Sequence, residues 1–467
     1  MKKHDLQPTP DNIRNTFIRD SIGRNKDLVN FIKIIDSIDE SFSIALDSYW
    51  GSGKTFFVKQ VKMILDANNE FTYDSVEEKD KVLKTWNNWL RNDKINTDWH
   101  IPIYYDAWAN DNDNDPILSI VYQIIQTVGN HANIEEQKGL SSVFNLAGDI
   151  FALVKGFNPL ELAKKLKNEN PLEAIMQTKS LKERIDEFIE SLIPEHGERL
   201  LIIIDELDRC NPEFAVKLLE RIKHYFNNDK VTFVFSVNLA ELQHTIKHHY
   251  GADFNASRYL DRFFDLPIKL PPVNMDYFLA SQGIYNRNFV FDDSMKTVIK
   301  RYNLQLREIS RYIAVSKYIV ANEAYEDRFQ IRNARNVIIH VIIPIVSALI
   351  ITDNKQFLEF INGKDNSSLL EFYEDAENVQ IVNHYLRLLL PEFSENPLVN
   401  SGIDKIYDPN YIKNLLNDFY NALLNKIGDI KIGKCTIDDN ERQYFRSRIS
   451  LLSENTIKMI DKNEVGV

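Results

Sequence analysis

The feature that most constrains this sequence is a short apolar segment that ends in a turn of small residues. Ala45-Leu46 is followed by Asp-Ser-Tyr-Trp, and then by Gly-Ser-Gly-Lys-Thr at 51–55. A strand that enters such a turn and continues into a helix directs backbone N–H groups and the positive end of the helix dipole at an anion. The pattern predicts a phosphate-binding loop, in which Lys54 reaches the β- and γ-phosphates and Thr55 holds Mg²⁺. The predicted nucleotide contacts in this loop are Trp50, Gly51, Ser52, Gly53, Lys54, Thr55 and Phe56.

One position departs from the usual phosphate-loop pattern. The glycine that normally opens the loop, four residues ahead of the Gly-Lys pair, is replaced by Ser48. Serine is tolerated there if the backbone does not need a positive φ angle. The alternative, a chance Gly-Ser-Gly turn after a strand, is weakened by the helix-like segment that follows.

A second apolar segment carries two carboxylates at its end. Leu200–Ile204 runs directly into Asp205 and Glu206, which places both at the carboxyl edge of a parallel sheet, where ligands bind in open α/β folds. Asp205 is suited to positioning Mg²⁺, and Glu206 to activating water as a general base. The competing interpretation is an acidic turn ahead of a helix that begins at Asn211-Pro212.

The distribution of apolar segments predicts an α/β fold with a parallel sheet. Short runs rich in β-branched residues alternate with helical patterns in the first half of the chain, as expected for strands covered on both faces. These runs are 42–46, 101–105, 200–204 and 231–237. The expected organisation is a three-layer α/β/α core at 1–274, with a helical insertion at about 128–180, and an all-helical region at 275–467.

Polar residues at other strand and helix ends suggest groups that sense the γ-phosphate. Asn238 follows the strand 231–237, and its amide is suited to bonding the phosphate or the water, although a plain turn asparagine is the alternative. Arg262 is the candidate arginine finger, acting in cis or from a neighbouring subunit. Arg307, or else Arg311, is a candidate phosphate contact from a lid. Surface ion pairs with Asp261 or Glu308 are the alternative for these arginines.

Composition limits the classes of function. Lys and Arg number 56 against 68 Asp and Glu, a net charge of −12, which disfavours a protein that mainly coats nucleic acid. Two cysteines and an N-terminus without an apolar core predict a cytoplasmic protein. The apolar run 337–352 contains His340 and Pro344 and is shorter than the roughly 20 residues of a spanning helix, so no membrane span is expected.

Taken together, these motifs resemble the KAP family of P-loop NTPases, in the additional-strand branch. The residues that carry the resemblance are Ile22-Gly-Arg24, Asp47-Ser-Tyr-Trp-Gly-Ser-Gly-Lys-Thr55, Asp106-Ala-Trp108, Ile204-Asp-Glu-Leu-Asp-Arg-Cys210, Tyr259-Leu-Asp-Arg-Phe263 and Leu306-Arg-Glu-Ile309. The resemblance implies the sheet order 5-1-4-3-2, ATP with Mg²⁺, and a helical lid after the core. It also implies that Gly23 and Arg24 contribute to nucleotide binding.

The sequence differs from the family pattern in three ways. Ser48 replaces the first glycine of the loop, and Asp106 stands where asparagine is common. The insertion between the Ala-Trp segment and the acidic strand lacks the paired membrane spans that many relatives carry, which indicates a soluble member. Soluble bacterial relatives are often associated with phage exclusion, so a defence role is expected by analogy.

Three functions remain open at this level. The first is an ATP-hydrolysing molecular switch or motor, acting as a homo-oligomer or with a partner protein through the arginine finger and the helical region. The second is a nucleotide-gated interaction module with little turnover, which recruits an effector or recognises an invader. A nucleic-acid translocase ranks last, because the chain is acidic.

Overall fold

The computed structural model describes residues 7–69, 76–90, 95, 100–113, 115–131, 141–155, 171–284, 290–320, 334–374, 409–432 and 435–450. These residues divide into two compact units, one at 7–278 and one from residue 279 onward.

The first unit is built on a sheet of five parallel strands. The strands are β1 (Phe42–Asp47), β2 (His100–Asp106), β3 (Arg199–Asp205), β4 (Val231–Val237) and β5 (Leu266–Lys269). Their spatial order is β2-β3-β4-β1-β5, which read from the other edge is 5-1-4-3-2, and each neighbouring pair is parallel. The predicted α/β fold and its strand order are therefore confirmed.

Helices cover the sheet. Those with residues in the cores on the two faces are α1 (Pro10–Ile18), α2 (Asn25–Asp36), α3 (Lys54–Asn68), α4 (Val76–Leu90), α5 (Pro116–His131), α6 (Ser141–Lys155), α7 (Pro171–His196), α8 (Pro212–Tyr225), α9 (Leu239–Tyr250) and α10 (Ala256–Leu260). A further helix, α11 (Met275–Ser281), follows β5 in the chain. The described parts of the predicted insertion at about 128–180 are helical, and residues 132–140 and 156–170 lie outside the described residues.

A hydrophobic core covers each face of the sheet, and this explains why the sequences of the strands are mostly apolar. In β3, Ile202 and Ile204 belong to the core that includes residues of α5 and α8, whereas Leu201 and Ile203 belong to the core that includes residues of α2 and α3. Successive side chains of a strand point to opposite faces, so burial of both faces favours apolar residues along the whole strand. Carboxylates end three of the strands, at Asp47 of β1, Asp106 of β2 and Asp205 of β3, which places them at one edge of the sheet.

The second unit is mainly helical. Its helices are α12 (Val290–Arg301), α13 (Leu306–Val320), α14 (Ala334–Thr352), α15 (Asn354–Ile361), α16 (Ser367–Glu374), α17 (Pro409–Leu424) and α18 (Asp439–Ser450). A short antiparallel hairpin, β6 (Ile430–Ile432) with β7 (Cys435–Ile437), adds to them, so the expectation of an all-helical region was incomplete.

The sequence pattern does not reveal the hairpin, because its strands are too short to show an alternation of polar and apolar residues. A buried guanidinium provides part of its support instead. Arg442 of α18 donates to the backbone carbonyls of Ala422, Gly428 and Ile437, which ties the hairpin to the end of α17.

One described helix, α14, is long and apolar enough to cross a membrane by length and composition alone. Most of it is buried within the protein, and it includes a π-helical turn at Ile338–Ile342. A core helix of a folded domain meets the same criteria, so this helix is weak evidence for a span.

Candidate nucleotide-binding site

The turn after β1 has the backbone of an anion-binding loop. Gly51 and Gly53 adopt φ angles of +79° and +88°, a region that other residues enter only at a cost. Gly53 is the N-cap of α3, so the loop leads directly into the helix N-terminus. Ser48 is not among the positive-φ residues, and its N–H donates to the carbonyl of Val237 on β4. The serine in place of the first glycine is therefore accommodated without backbone strain.

Lys54 lies folded back over the loop that carries it. Its ammonium donates to the carbonyl oxygens of Ser48 at 2.5 Å and of Tyr49 at 3.1 Å. Burial lowers its pKa, while the charges of Asp208, Asp205 and Glu206 act in the opposite direction. A buried cation held only by carbonyls and nearby carboxylates is well suited to bind an anionic phosphate.

Asp205 and Glu206 lie beside the helix that begins at Lys54. The hydroxyl of Thr55, in the first turn of α3, donates to Oε1 of Glu206 at 3.4 Å. The same hydroxyl lies close enough to Asp205 to lower the pKa of that carboxyl. The structure thus brings the phosphate-loop threonine together with both carboxylates, although strand β4 separates β1 from β3.

Asp205 is almost completely buried, with 1 % of its surface exposed. Burial raises the pKa of this carboxyl, and hydrogen bonds that include one from Tyr104 lower it. The hydroxyl of Tyr104, on the neighbouring strand β2, donates to Oδ2 at 2.9 Å. A buried carboxylate next to a threonine hydroxyl provides the oxygen ligands that Mg²⁺ prefers.

Glu206 lies at the point where the chain leaves β3. Its φ angle is +62°, one of three positive values among the described non-glycine residues. Strained backbone of this kind is concentrated at functional sites. Burial and the charge of Asp205 raise the pKa of Glu206 to about 6, against the opposing effect of Arg209, which forms an ion pair with its Oε2. A carboxylate with a raised pKa is a better proton acceptor than an ordinary glutamate.

The donor set fits a Mg²⁺–nucleotide complex. The described residues contain no group of three or more His, Cys, Asp or Glu arranged to hold a metal, so a metal here would draw its other ligands from phosphate and water. Within the loop, Ser52 Oγ is buried without a hydrogen-bond partner, as expected for a group that awaits a ligand. Thr55 and Asp205 would hold the ion.

Arg24, which follows Gly23 in the sequence, braces the phosphate loop from the side of β5. The guanidinium of Arg24 donates to the carbonyl of Ser52 at 2.9 Å and to that of Pro271 at 2.5 Å. Burial lowers its pKa to about 10. Gly23 has φ of +68°, and a Cβ there would lie 2.6 Å from the Cβ of Asn274. Arg24 supports the position of the loop, and direct contact of Gly23 and Arg24 with nucleotide stays a prediction.

Asn238 follows β4 at the same edge and is the N-cap of α9. Its Oδ1 accepts hydrogen bonds from the N–H groups of Ala240 at 3.2 Å and Glu241 at 3.5 Å. The residue is 6 % exposed. The oxygen is used for capping, which leaves the amide Nδ2 as the donor that could bond a phosphate or water.

The remaining predicted residues lie in different environments. Phe56 is buried, with 8 % of its surface exposed, whereas Trp50 is 45 % exposed, and contact of either with nucleotide stays a prediction. Arg262 is exposed in the turn after α10. Arg307 is exposed in the first turn of α13, which belongs to the second unit. The roles of both arginines stay predictions.

Three residues at the site were given no role in the sequence analysis, although two of them belong to the motif 204–210. Tyr104 bonds Asp205, Asp208 accepts from the indole of Trp50, and Arg209 pairs with Glu206. Asp208 and Arg209 follow the acidic strand closely, which was a usable signal. Tyr104 gave none, because an aromatic residue in a strand usually indicates only packing.

A comparison with family models matches residues 24–321 to the KAP family P-loop domain. No curated protein matches the chain significantly. The matched range contains the whole sheet, the phosphate loop and the acidic strand, and covers more than half of the sequence. The protein therefore belongs to the KAP family of P-loop NTPases.

Proposed function

We propose that this protein binds and hydrolyses ATP with Mg²⁺, and that it acts as a molecular switch or motor. One observation carries the proposal: the Thr55 hydroxyl reaches the Glu206 carboxylate at 3.4 Å, so the phosphate loop and the acidic strand form one site. Nucleotide binding itself follows from the family. Hydrolysis is supported by Glu206, whose pKa of about 6 suits a general base.

Each residue has a distinct role in the proposed reaction. The N–H groups of residues 51–55 and the Lys54 ammonium bind the phosphates, and Thr55 with Asp205 positions Mg²⁺, which supplies positive charge to the phosphate oxygens. Glu206 accepts a proton from the attacking water. Asn238 senses the γ-phosphate through its amide, while Arg262 from a neighbouring subunit and Arg307 from the helical region respond to it.

The two parts of the chain have different roles in the proposed function. The predicted core at 1–274 performs the reaction, and the helical region at 275–467 responds to it. The nature of the target, including the anti-phage role, rests on the resemblance to soluble bacterial relatives alone.

The test compares nucleotide binding with turnover in two variants. Lys54→Ala should weaken binding of a fluorescent ATP analogue by about tenfold or more, since ~1.4 kcal/mol of lost interaction corresponds to tenfold. Glu206→Gln should retain binding while kcat for phosphate release falls by roughly 10²–10⁴, the range for loss of a general base. Glu213→Gln, an exposed glutamate at the start of α8, is the matched control.

The same measurements distinguish the proposed function from the rival functions. A wild-type protein that binds ATP tightly but releases almost no phosphate, with Glu206→Gln indistinguishable from it, would favour the nucleotide-gated interaction module. Turnover that increases only with DNA would favour the translocase. Mass measurement with and without ATP and Mg²⁺ checks the arginine finger, because a monomer under every condition removes the neighbour that would supply Arg262.

A further inference from the structure

The side chain of Arg209 lies between two exposed tryptophans. Its guanidinium carbon is 5.7 Å from the ring centroid of Trp50 and 5.6 Å from that of Trp108. A guanidinium within about 6 Å of an indole face is attracted by the ring quadrupole. Two such contacts restrict a long side chain that would otherwise sample many rotamers.

The restricted guanidinium also determines the orientation of Glu206. Arg209 pairs through Nε with Oε2 of Glu206, while Oε1 accepts from the hydroxyl of Thr55 at 3.4 Å. Both carboxylate oxygens therefore have partners. An arginine that holds one oxygen fixes the direction in which the other one points.

The two tryptophans belong to two different loops. Trp50 is part of the phosphate loop, and its indole N–H donates to Oδ2 of Asp208 at 2.5 Å. Trp108 lies after β2, in a loop whose Ala107 N–H donates to the carbonyl of Asp205 at 3.0 Å. A shift of the phosphate loop would therefore act on Arg209 directly.

We propose that Arg209, held between Trp50 and Trp108, is a positioning residue that sets the orientation of Glu206 according to the state of the phosphate loop. This inference rests on the proposed function. When the Thr55 hydroxyl turns away from Glu206, Arg209 keeps Oε2 and leaves Oε1 as the proton acceptor. The water proton moves to Oε1, the water oxygen bonds to the γ-phosphorus, and the bond from that phosphorus to the β–γ bridging oxygen breaks.

The test separates kcat from nucleotide affinity. Arg209→Ala should lower kcat by about 10- to 100-fold while the Kd for a fluorescent ATP analogue changes by less than about threefold, because the residue acts on the base and not on the phosphates. Arg209→Lys should restore turnover only in part, since an ammonium keeps the charge but lacks the planar fork. Trp108→Leu should lower kcat by roughly threefold to tenfold, and Trp108→Phe should restore it, because a phenyl ring still offers an aromatic face.

Two controls lie away from the stack. Arg184, a half-buried arginine of α7 paired with Glu187, is replaced by Ala, and the exposed Trp89 of α4 is replaced by Phe. Neither change should alter kcat. Acrylamide quenching of tryptophan fluorescence in nucleotide-free protein checks the stack itself, and Arg209→Ala should increase it.

The outcomes distinguish this inference from the proposed function. If the wild type neither binds nor hydrolyses ATP, the proposed function fails. If the wild type turns over and Arg209→Ala has an equal or higher kcat, only the positioning role is overturned. Unchanged quenching in Arg209→Ala would also overturn the positioning role. So would a loss of nucleotide affinity and thermal stability together with kcat in both Arg209→Ala and Arg209→Lys, because that result marks a residue needed for folding.

Discussion

The phenol of Tyr104 donates a hydrogen bond to Oδ2 of Asp205 at 2.9 Å, from one strand of the sheet to the next. Burial and the neighbouring carboxylates raise the pKa of Tyr104 far above its ordinary value, so the phenol remains a donor at any physiological pH. Lys59 covers the ring with its ammonium 4.5 Å from the centroid. The proposed Mg²⁺ ligand is thus held by a side chain that was not predicted as part of the site.

Removal of the hydrogen bond from Tyr104 to Asp205 should weaken Mg²⁺ binding more than nucleotide binding. In Tyr104→Phe, Asp205 loses one partner, worth about 1 kcal/mol, which corresponds to roughly fivefold. We expect the Mg²⁺ concentration for half-maximal turnover to rise by about threefold to tenfold. Titration of phosphate release with Mg²⁺ at saturating ATP measures this shift.

The adjacent residue provides a matched control. The hydroxyl of Tyr105 points to the other face of the sheet and donates to Ser119 at 3.0 Å. Tyr105→Phe removes the same atom from the same strand and should leave the Mg²⁺ dependence unchanged. An equal shift in both variants would show that loss of a buried hydroxyl, and not release of Asp205, is responsible.

Two substitutions of Asn238 separate its capping role from its predicted sensor role. Serine is also a good N-cap, whereas alanine is not, and loss of a cap costs about 1 kcal/mol. Asn238→Ser should therefore retain thermal stability yet lower kcat by roughly tenfold, because the amide donor is gone. Asn238→Ala should lose both stability and turnover. Full turnover in Asn238→Ser would make the residue a cap and nothing more.

Gly23 should be sensitive to the smallest possible side chain. Its φ of +68° costs an alanine about 1–2 kcal/mol, and the added Cβ would lie 2.6 Å from the Cβ of Asn274. Gly23→Ala should therefore destabilise the protein by more than backbone strain alone, as measured by urea denaturation. Gly428→Ala is the comparison, because Gly428 has φ of +81° with open space around it. Equal losses of unfolding free energy in Gly23→Ala and Gly428→Ala would contradict a steric contribution at Gly23.

The two thiols should be unreactive in the native protein. Cys210 and Cys435 are both buried, and burial raises the pKa of Cys435 to about 11 and that of Cys210 still further. Because the thiolate is the reactive form, a disulfide reagent at pH 8 should label neither rapidly. Denaturation should release two thiols per chain, the number in the sequence. Rapid labelling of native Cys210 would contradict its burial beside the acidic strand.

Four of the five strands were accessible from the sequence pattern for a specific reason, whereas the strand order came from the family resemblance and β5 was not identified. A parallel strand buried on both faces is predominantly apolar, so 200–204 and 231–237 stand out without any tertiary information. The hairpin at 430–437 was missed because three-residue strands carry too little alternation, and a buried Arg442 helps to support it.

For the site, local sequence determined the phosphate loop, the carboxylates at 205 and 206, and the asparagine at 238, because each follows a strand end and the ends of parallel strands share one edge. Only the tertiary structure decided which groups touch across the site: Tyr104 on Asp205, Arg24 on the carbonyl of Ser52, and Arg209 beside Trp50 and Trp108. Those contacts join residues distant in sequence, and their geometry depends on strand register and side-chain packing, which no local pattern encodes.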